Sequence, residues 1–319
     1  MDHLQQSRLN LLTSHMLDRG SLLRMDTEVL DARRMDSRAR FIGVQKMQVA
    51  VDPKRDGLPA WLTREEALER FGHVDPWIYL GEQNDSVYFA LNLDERAQEP
   101  LEDFANLRAL AFRVDPGEST ILAYAQAIVA WHKRHRYCGR CGELTEMRQG
   151  GHVRQCLSTS CGVLHYPRTD PAIIVLVEKG DRALFGRKPE WPQHRYSTIA
   201  GFVEPGESAE QAVVREVAEE TGVEVLQARY HSSQPWPFPG SLMLGYHAQA
   251  GIDAISLNDQ ELEDACWLSR EEMAAHLAQG IFIPPPSISI SFRLIEDWFN
   301  RTAPIPLKVV LEKSGADDF

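Results

Sequence analysis

Hydrophobic residues recur along this chain in patterns that predict its elements. Over 86–93 the alternation of Val87, Phe89 and Leu91 predicts a strand. An unbroken apolar run, Ala172–Val177, predicts a second strand, followed by a turn over Glu178–Arg182 and a returning strand at Ala183–Phe185. Helical periodicity covers Thr120–His132, Glu207–Glu220, Ser269–Ala278 and Ser287–Asn300, and further strands are predicted at Val223–Tyr230 and Leu242–Ala248. Gly57–Pro59 and Asp75–Pro76 read as loops, and the acidic end after Glu312 as a frayed tail. No internal repeat is visible.

These elements divide the chain into a weakly periodic part over 1–130, a segment over 131–167, a compact α/β unit over 168–302 and a tail over 303–319. The amino-terminal part carries no catalytic signature and reads as a scaffold or dimerisation domain. In 131–167 Cys, Gly, His and Arg crowd together while large aliphatic residues thin out, so something other than apolar burial must fold it.

Composition narrows the function. The 319 residues are 43% hydrophobic and 25% charged, an ordinary globular mixture. A net charge of −12, from 34 basic against 46 acidic residues, argues against duplex DNA and anionic lipid as partners, since both demand excess Lys and Arg. No apolar run approaches the roughly 20 residues of a membrane span. Asp2, Arg8, Asp18 and Arg19 break the first thirty residues, so no signal-peptide core is expected and the protein reads as cytoplasmic. In that compartment clustered cysteines suggest metal rather than disulfides.

Cys138-x₂-Cys141 and Cys156-x₄-Cys161 have the spacing of four thiolates converging on one structural zinc ion, with no position left for a reactive water. The glycines after Cys138, Cys141 and Cys161 suit tight knuckle turns that need positive φ. Cys266 remains, beside Trp267, and reads as a core thiol. The run Trp131-His-Lys-Arg-His-Arg136 ahead of the ribbon fits a solvated helix end; alternatively it touches RNA, with Trp131 or Tyr137 stacking on a base.

The densest chemistry lies in Gly201-Phe-Val-Glu-Pro-Gly-Glu207, seven residues, then Arg215-Glu-Val-Ala-Glu-Glu-Thr-Gly-Val223. Glu216, Glu219 and Glu220 stand at i, i+3 and i+4 and share one helix face. At about 5 Å and an effective dielectric near 20, each pair of such carboxylates repels by about 3 kcal/mol, so cations are expected among them. Hard oxygen donors select Mg²⁺ or Mn²⁺, which in turn bind phosphate oxygens. Arg215 is placed to pair with Glu207, and Gly222 to end the helix.

At every position 201–223 resembles the Nudix box, G-x₅-E-x₇-R-E-U-x-E-E-x-G-U with U aliphatic. The resemblance implies an α/β/α sandwich with a mixed sheet, preceded here by the zinc ribbon and an amino-terminal α+β domain. It also implies hydrolysis of a nucleoside diphosphate linked to another moiety, with Glu216, Glu219 and Glu220 as catalytic and metal-binding residues. Downstream, Ser233-Gln-Pro-Trp-Pro-Phe-Pro-Gly-Ser-Leu-Met243 packs three prolines around two aromatics and reads as a rigid loop with exposed flat faces. That array resembles the signature of the NADH pyrophosphatase subfamily, which also carries a four-Cys ribbon before its Nudix domain. By that resemblance the carbonyl of Ala200 and the Glu261 carboxylate are further Mg²⁺/Mn²⁺ ligands. Tyr166, Phe202, Gln234, Pro235, Trp236, Pro237, Phe238, Pro239, Gly240, Ser241, Arg108 and Ser291 are substrate contacts. The second knuckle is longer than in many relatives, and Ser287–Phe292 aligns poorly.

The activity so implied is cleavage of NAD(H) to nicotinamide mononucleotide and AMP, with removal of NAD caps from RNA, by a homodimer. The alternatives are a broader Nudix hydrolase of ADP-ribose, ADP-sugars or dinucleoside polyphosphates, and a non-catalytic zinc-ribbon RNA-binding protein.

Overall fold

The computed structural model describes residues 2–13, 17–72, 75–93, 102–257 and 261–314. The chain divides into two compact units, one formed by Leu12–Thr169 with Pro235–Ser241, the other by Met1–Leu11, Asp170–Gln234 and Leu242–Phe319.

The first unit holds helices α2 (Thr27–Arg34), α3 (Arg64–Phe71), α4 (Leu107–Leu110) and α5 (Pro116–Arg134); α1 (His3–Arg8) belongs to the second. Its larger sheet runs β3 (Leu58–Pro59), β2 (Gln48–Asp52), β1 (Ala39–Gln45), β5 (Ser86–Asn92), β4 (Trp77–Gln83), with β6 (Phe104–Asn106) on β2. β1 and β5 are parallel and the other pairs antiparallel, so the sheet is mixed. Leu30, Phe41, Tyr79, Val87, Phe89 and Leu91 pack together on it. The strand read at 86–93 is confirmed, but Ala90 is as buried as Phe89, because α5 packs against β1 and β5. Asp115 caps α5, accepting from the amides of Gly117 and Glu118, and Pro116 opens it, so the helix starts four residues before the expected Thr120.

The cysteine segment forms a three-stranded sheet of β7 (Thr145–Arg148), β8 (Val153–Cys156) and β9 (Leu164–His165). Gly142 and Gly162 have positive φ, +78° and +57°, as their places after Cys141 and Cys161 predict; Gly139 does not. Trp131 is only 5% exposed and His132 is buried beneath it, so Trp131 is a core residue rather than a stacking platform, while Tyr137 is exposed.

The second unit is a helix–sheet–helix sandwich. Its sheet orders β13 (Val225–Trp236), β14 (Ser241–Ala250), β10 (Asp170–Lys179), β11 (Arg182–Arg187) and β15 (Asp264–Ser269), with β12 (Ile199–Phe202) antiparallel to β10. Successive residues of β10 point to opposite faces. Ile173, Val175 and Val177 pack with Ala212, Val213 and Val217 of α6 (Ala209–Thr221). Ile174 and Leu176 pack under α7 (Arg270–Gln279), α8 (Ile290–Asn300) and α9 (Leu307–Ser314). The strand at Ala172–Val177 therefore belongs to a longer one that turns at Gly180, and α8 starts three residues later than expected. The segment expected as a tail after 302 carries α9, whose Leu307 and Leu311 are buried; residues 315–319 lie outside the described residues. The proline-aromatic segment, read as a loop, is mostly strand: β13 runs through Trp236 and only 237–240 form the connection to β14. Cys266 packs against the core as expected.

Candidate active site

The active-site candidate is built by α6 and the loop before it. Ser208 caps the helix in a box with Gln211, so Glu207 stands just ahead of the cap rather than inside the first turn. Gly222 closes the helix at φ 68°, its N–H reaching Ala218 O. Between these stops the apolar residues bury one side, and Glu216, Glu219 and Glu220 fall beside it on one face.

Arg215 is the hub. Its Nε donates to Glu207 Oε2 at 3.1 Å and its Nη2 to Glu207 Oε1 at 2.6 Å and Phe202 O at 2.9 Å. Nη1 donates to both Glu216 and Glu219 at 2.9 Å. Glu207 Oε1 also accepts from the Glu204 amide at 2.7 Å. One guanidinium thus fastens the loop to the helix and sits between two of the three carboxylates. Its bonds to Glu207 hold the Glu207 carboxyl below the usual range and raise Arg215 itself. Burial raises Glu216, against the pull of Arg215 and with help from the charges of Glu219 and Glu261.

Glu220 is 2% exposed. Glu261 pairs with Lys188 at 2.8 Å. Burial opposes the charge on Lys188, yet the bond to Glu261 and the field of Glu220 and Glu261 hold its ammonium above the ordinary range. The carboxylate of Glu216 rests on the backbone of Gly201, where a side-chain Cβ would overlap it. Gly201 pairs with Ile173 in the β10–β12 ladder and Ala200 with Ile174, so a sheet strand forms the floor of the cluster. Carboxylates gathered against a strand, with a cation already shared between two of them, fit a divalent ion bound by oxygen.

The four cysteines converge as well. Cys138 Sγ lies 3.8 Å from Cys161 Sγ, Cys141 Sγ lies 3.5 Å from Cys156 Sγ, and the four ligand atoms lie within 4.8 Å of one another. Zn–S bonds of about 2.3 Å at tetrahedral angles set sulfurs about 3.8 Å apart, so the set fits zinc despite the longer second knuckle. Backbone N–H groups, Arg140 first, pull the Cys138 thiol down to about 6, whereas burial pushes Cys156 up to about 12. Replacing Cys156 by Ser is expected to lose one equivalent of zinc per chain and lower the melting temperature, with residual activity tracking the folded fraction. Metal analysis with thermal melts checks this; full zinc content in the variant would contradict it.

The expected substrate contacts fall into distinct environments. Tyr166 and Phe202 are each 60% exposed. Arg108 lies over Phe238 at 4.1 Å and Trp236 at 5.7 Å from the ring centroids, and the two rings meet edge to face at 5.0 Å. Pro237 is buried, its carbonyl accepting from Gln126 Nε2 at 2.6 Å; Pro235 is exposed, and Pro239, Gly240 and Ser241 are half-buried. Two residues are occupied internally. Gln234 is fully buried, its amide bonded to Leu11 O, Ile288 O and the Ile290 N–H, so it is a strut between β13 and α8. Ser291 is 1% exposed and its Oγ meets Ser197, Thr198 Oγ1 and the Thr198 amide. Of the Asp259-Gln-Glu-Leu stretch, Asp259 and Gln260 lie outside the described residues. The spacing could not reveal Lys188, which reaches Glu261 across 73 residues.

This sandwich and its carboxylate helix define a Nudix hydrolase: residues 167–284 match the NUDIX domain. Residues 133–166 match the NADH pyrophosphatase zinc ribbon domain, and 38–131 an NADH pyrophosphatase-like rudimentary NUDIX domain. The chain is 43% identical over 222 residues to the NAD-capped RNA hydrolase NudC of Stutzerimonas stutzeri, covering 70% of this chain and 77% of that one. It is 41% identical over 194 residues to the human NAD-capped RNA hydrolase NUDT12, covering 57% and 42%. To the human mitochondrial NAD(P)H pyrophosphatase NUDT13 it is 37% identical over 230 residues, covering 68% and 65%. The chain belongs to the NADH pyrophosphatase (NudC) family of Nudix hydrolases. The mixed sheet of the first unit is accordingly a rudimentary Nudix domain without the box, a kinship that its weak periodicity concealed. No helix among the described residues is long and apolar enough to cross a membrane.

Proposed function

We propose that this protein hydrolyses the central pyrophosphate of NAD(H) to nicotinamide mononucleotide and AMP, and removes NAD caps from RNA to leave a 5′-monophosphate. The observation that carries this reading is the complete Nudix constellation, Arg215 locking loop and helix with Glu216, Glu219 and Glu220 on one face. Kinship with hydrolases of NAD caps and NAD(P)H supports the choice of substrate. Glu216, Glu219, Glu220, Glu261 and the Ala200 carbonyl would hold Mg²⁺ or Mn²⁺. Such ions, when bound, neutralise the diphosphate and lower the pKa of an attacking water. A glutamate of the cluster, Glu220 in our assignment, orients that water and takes its proton. Arg215, tied at five bonds, keeps the carboxylates in register rather than touching substrate.

Trp236 and Phe238, with Arg108 against them, are assigned to flat-ring recognition, and Tyr166 and Phe202 offer exposed aromatic faces. Gln126 and Pro239 line a cavity of about 400 Å³ with Val44, Met47, Lys133 and Arg134, a basic wall suited to RNA phosphate. We further assign a cytoplasmic homodimer, in keeping with the family and with thiol ligands that a reducing compartment preserves.

Incubating NADH with protein and Mn²⁺ and separating the nucleotides tests the assignment: reduced nicotinamide mononucleotide and AMP are expected. Equal rates on ADP-ribose would favour the broader hydrolase, and no product would favour the non-catalytic RNA binder. Phe238→Ala should raise the KM for NADH about tenfold with little change in kcat, the size expected for one lost stacking partner; an unaltered KM would remove this residue from recognition.

A further inference from the structure

Away from the glutamate helix and the ribbon, three side chains with metal-binding atoms meet inside the second unit. β13, β14 and β10 are consecutive in its sheet and contribute His231, His247 and Glu178, while α8 contributes Asp297. His231 is 4% and His247 6% exposed, with ring centroids 5.2 Å apart. One ligand atom from each of His231, His247 and Asp297 lies within 4.8 Å of the other two.

Each ring has one nitrogen already fixed. His231 Nδ1 bonds Ser232 Oγ at 2.7 Å. His247 Nδ1 faces Glu178 Oε1 at 3.2 Å. Arg301 Nη2 also lies 3.3 Å from that Nδ1, but its short contact, 2.7 Å, is to Glu178 Oε1. A proton on His247 Nδ1 donated to Glu178 leaves the Nε2 lone pair free. The Nε2 atoms of both rings are buried and make no hydrogen bond among the described residues. Histidine ligands are ordinarily oriented by an acceptor, such as the Glu178 carboxylate here, on the nitrogen that does not bind metal.

The spacing fits a metal as well as it fits an ion pair. His247 Nε2 stands 3.3 Å from Asp297 Oδ2. Zn–N and Zn–O bonds of about 2.1 Å at tetrahedral angles put donor atoms about 3.4 Å apart. A His247–Asp297 contact alone would leave His231 Nε2 buried with nothing to bind, whereas one cation accounts for all three. Of the neighbouring charges, Arg301 pairs with Glu178 at 2.7 Å and lies 3.6 Å from Asp297 Oδ2, while Arg293 and Lys308 pair with Glu296. Asp297, with its side chain 36% exposed, leaves an approach for water.

We propose that His231, His247 and Asp297 form a second transition-metal site, of zinc type, with water in the fourth position. Two imidazoles and one carboxylate favour zinc and its neighbours over Mg²⁺, separating this site from the glutamates. Bound there, the ion clamps α8 to the β13–β14 pair.

The test is to strip the full-length protein with chelator, refill it with Zn²⁺ in saturating Mg²⁺, and count bound zinc. Wild type is expected to hold two per chain, and His247→Gln and Asp297→Asn one, with the ribbon zinc retained. Should both variants fail to fold, Co²⁺ in the wild type decides: a weak nitrogen/oxygen ligand-field absorption is expected beside the intense thiolate bands. One zinc per wild-type chain, two that survive both substitutions, or a Co²⁺ spectrum of thiolate bands alone would overturn the proposal.

Discussion

Replacing Glu220 by Gln is expected to lower kcat on NADH by about 10³-fold, the middle of the range for loss of a general acid–base group. The melting temperature should stay close to that of the wild type. Glu220 is 2% exposed on the inner side of α6, next to the fully buried Thr221, and Gln keeps its size while losing its charge and basicity. Steady-state rates with Mn²⁺ and a thermal melt read the two effects separately. A variant within about tenfold of wild type would leave Glu219 or Glu216 as the base and withdraw Glu220 from the chemistry.

The second large effect is expected at a residue with no side chain. In Gly201→Ala the new methyl would overlap the Glu216 carboxylate. The strand cannot retreat freely, because Gly201 pairs with Ile173 in the ladder and Arg215 holds the neighbouring Phe202 carbonyl. Glu216 must therefore swing out, and a displacement of that order at a metal-holding group costs about 10²-fold in kcat. More Mn²⁺ should be needed for half-maximal rate. Gly139→Ala is the control: its Cβ would meet nothing nearer than His165 Cε1 at 4.0 Å, its φ is not positive, and the rate should not change. Equal rates for both variants would show that Glu216 does not need its place on the strand.

What the sequence revealed and what it hid divide by distance along the chain. The carboxylate face, the Arg215–Glu207 pair and the Gly222 stop all act within about a dozen residues, so helix geometry and cap chemistry expose them directly. The cysteine spacing is local in the same sense. Residues whose partners lie far along the chain are harder to read. Gln234 reads in the sequence as a polar group for a ligand, and in the fold its amide bonds Leu11, Ile288 and Ile290. Stacking by Trp131 is only the alternative reading of the basic run, and α5 turns that ring inward. Lys188–Glu261 and the His231–His247–Asp297 meeting arise from sheet order and helix docking, which no short window encodes. The first unit is the extreme case, its mixed sheet present without a complete box.

The position of Arg215 bears on ion selectivity. Its guanidinium holds Glu216 and Glu219 through one nitrogen, so an incoming dication meets a competitor that can never diffuse away. Resting affinity should fall short of what three acidic ligands alone would give, and the polyanionic substrate must supply the remainder. Ion loading and nucleotide capture are then thermodynamically linked, so that the ion-charged enzyme is favoured where there is something to cut.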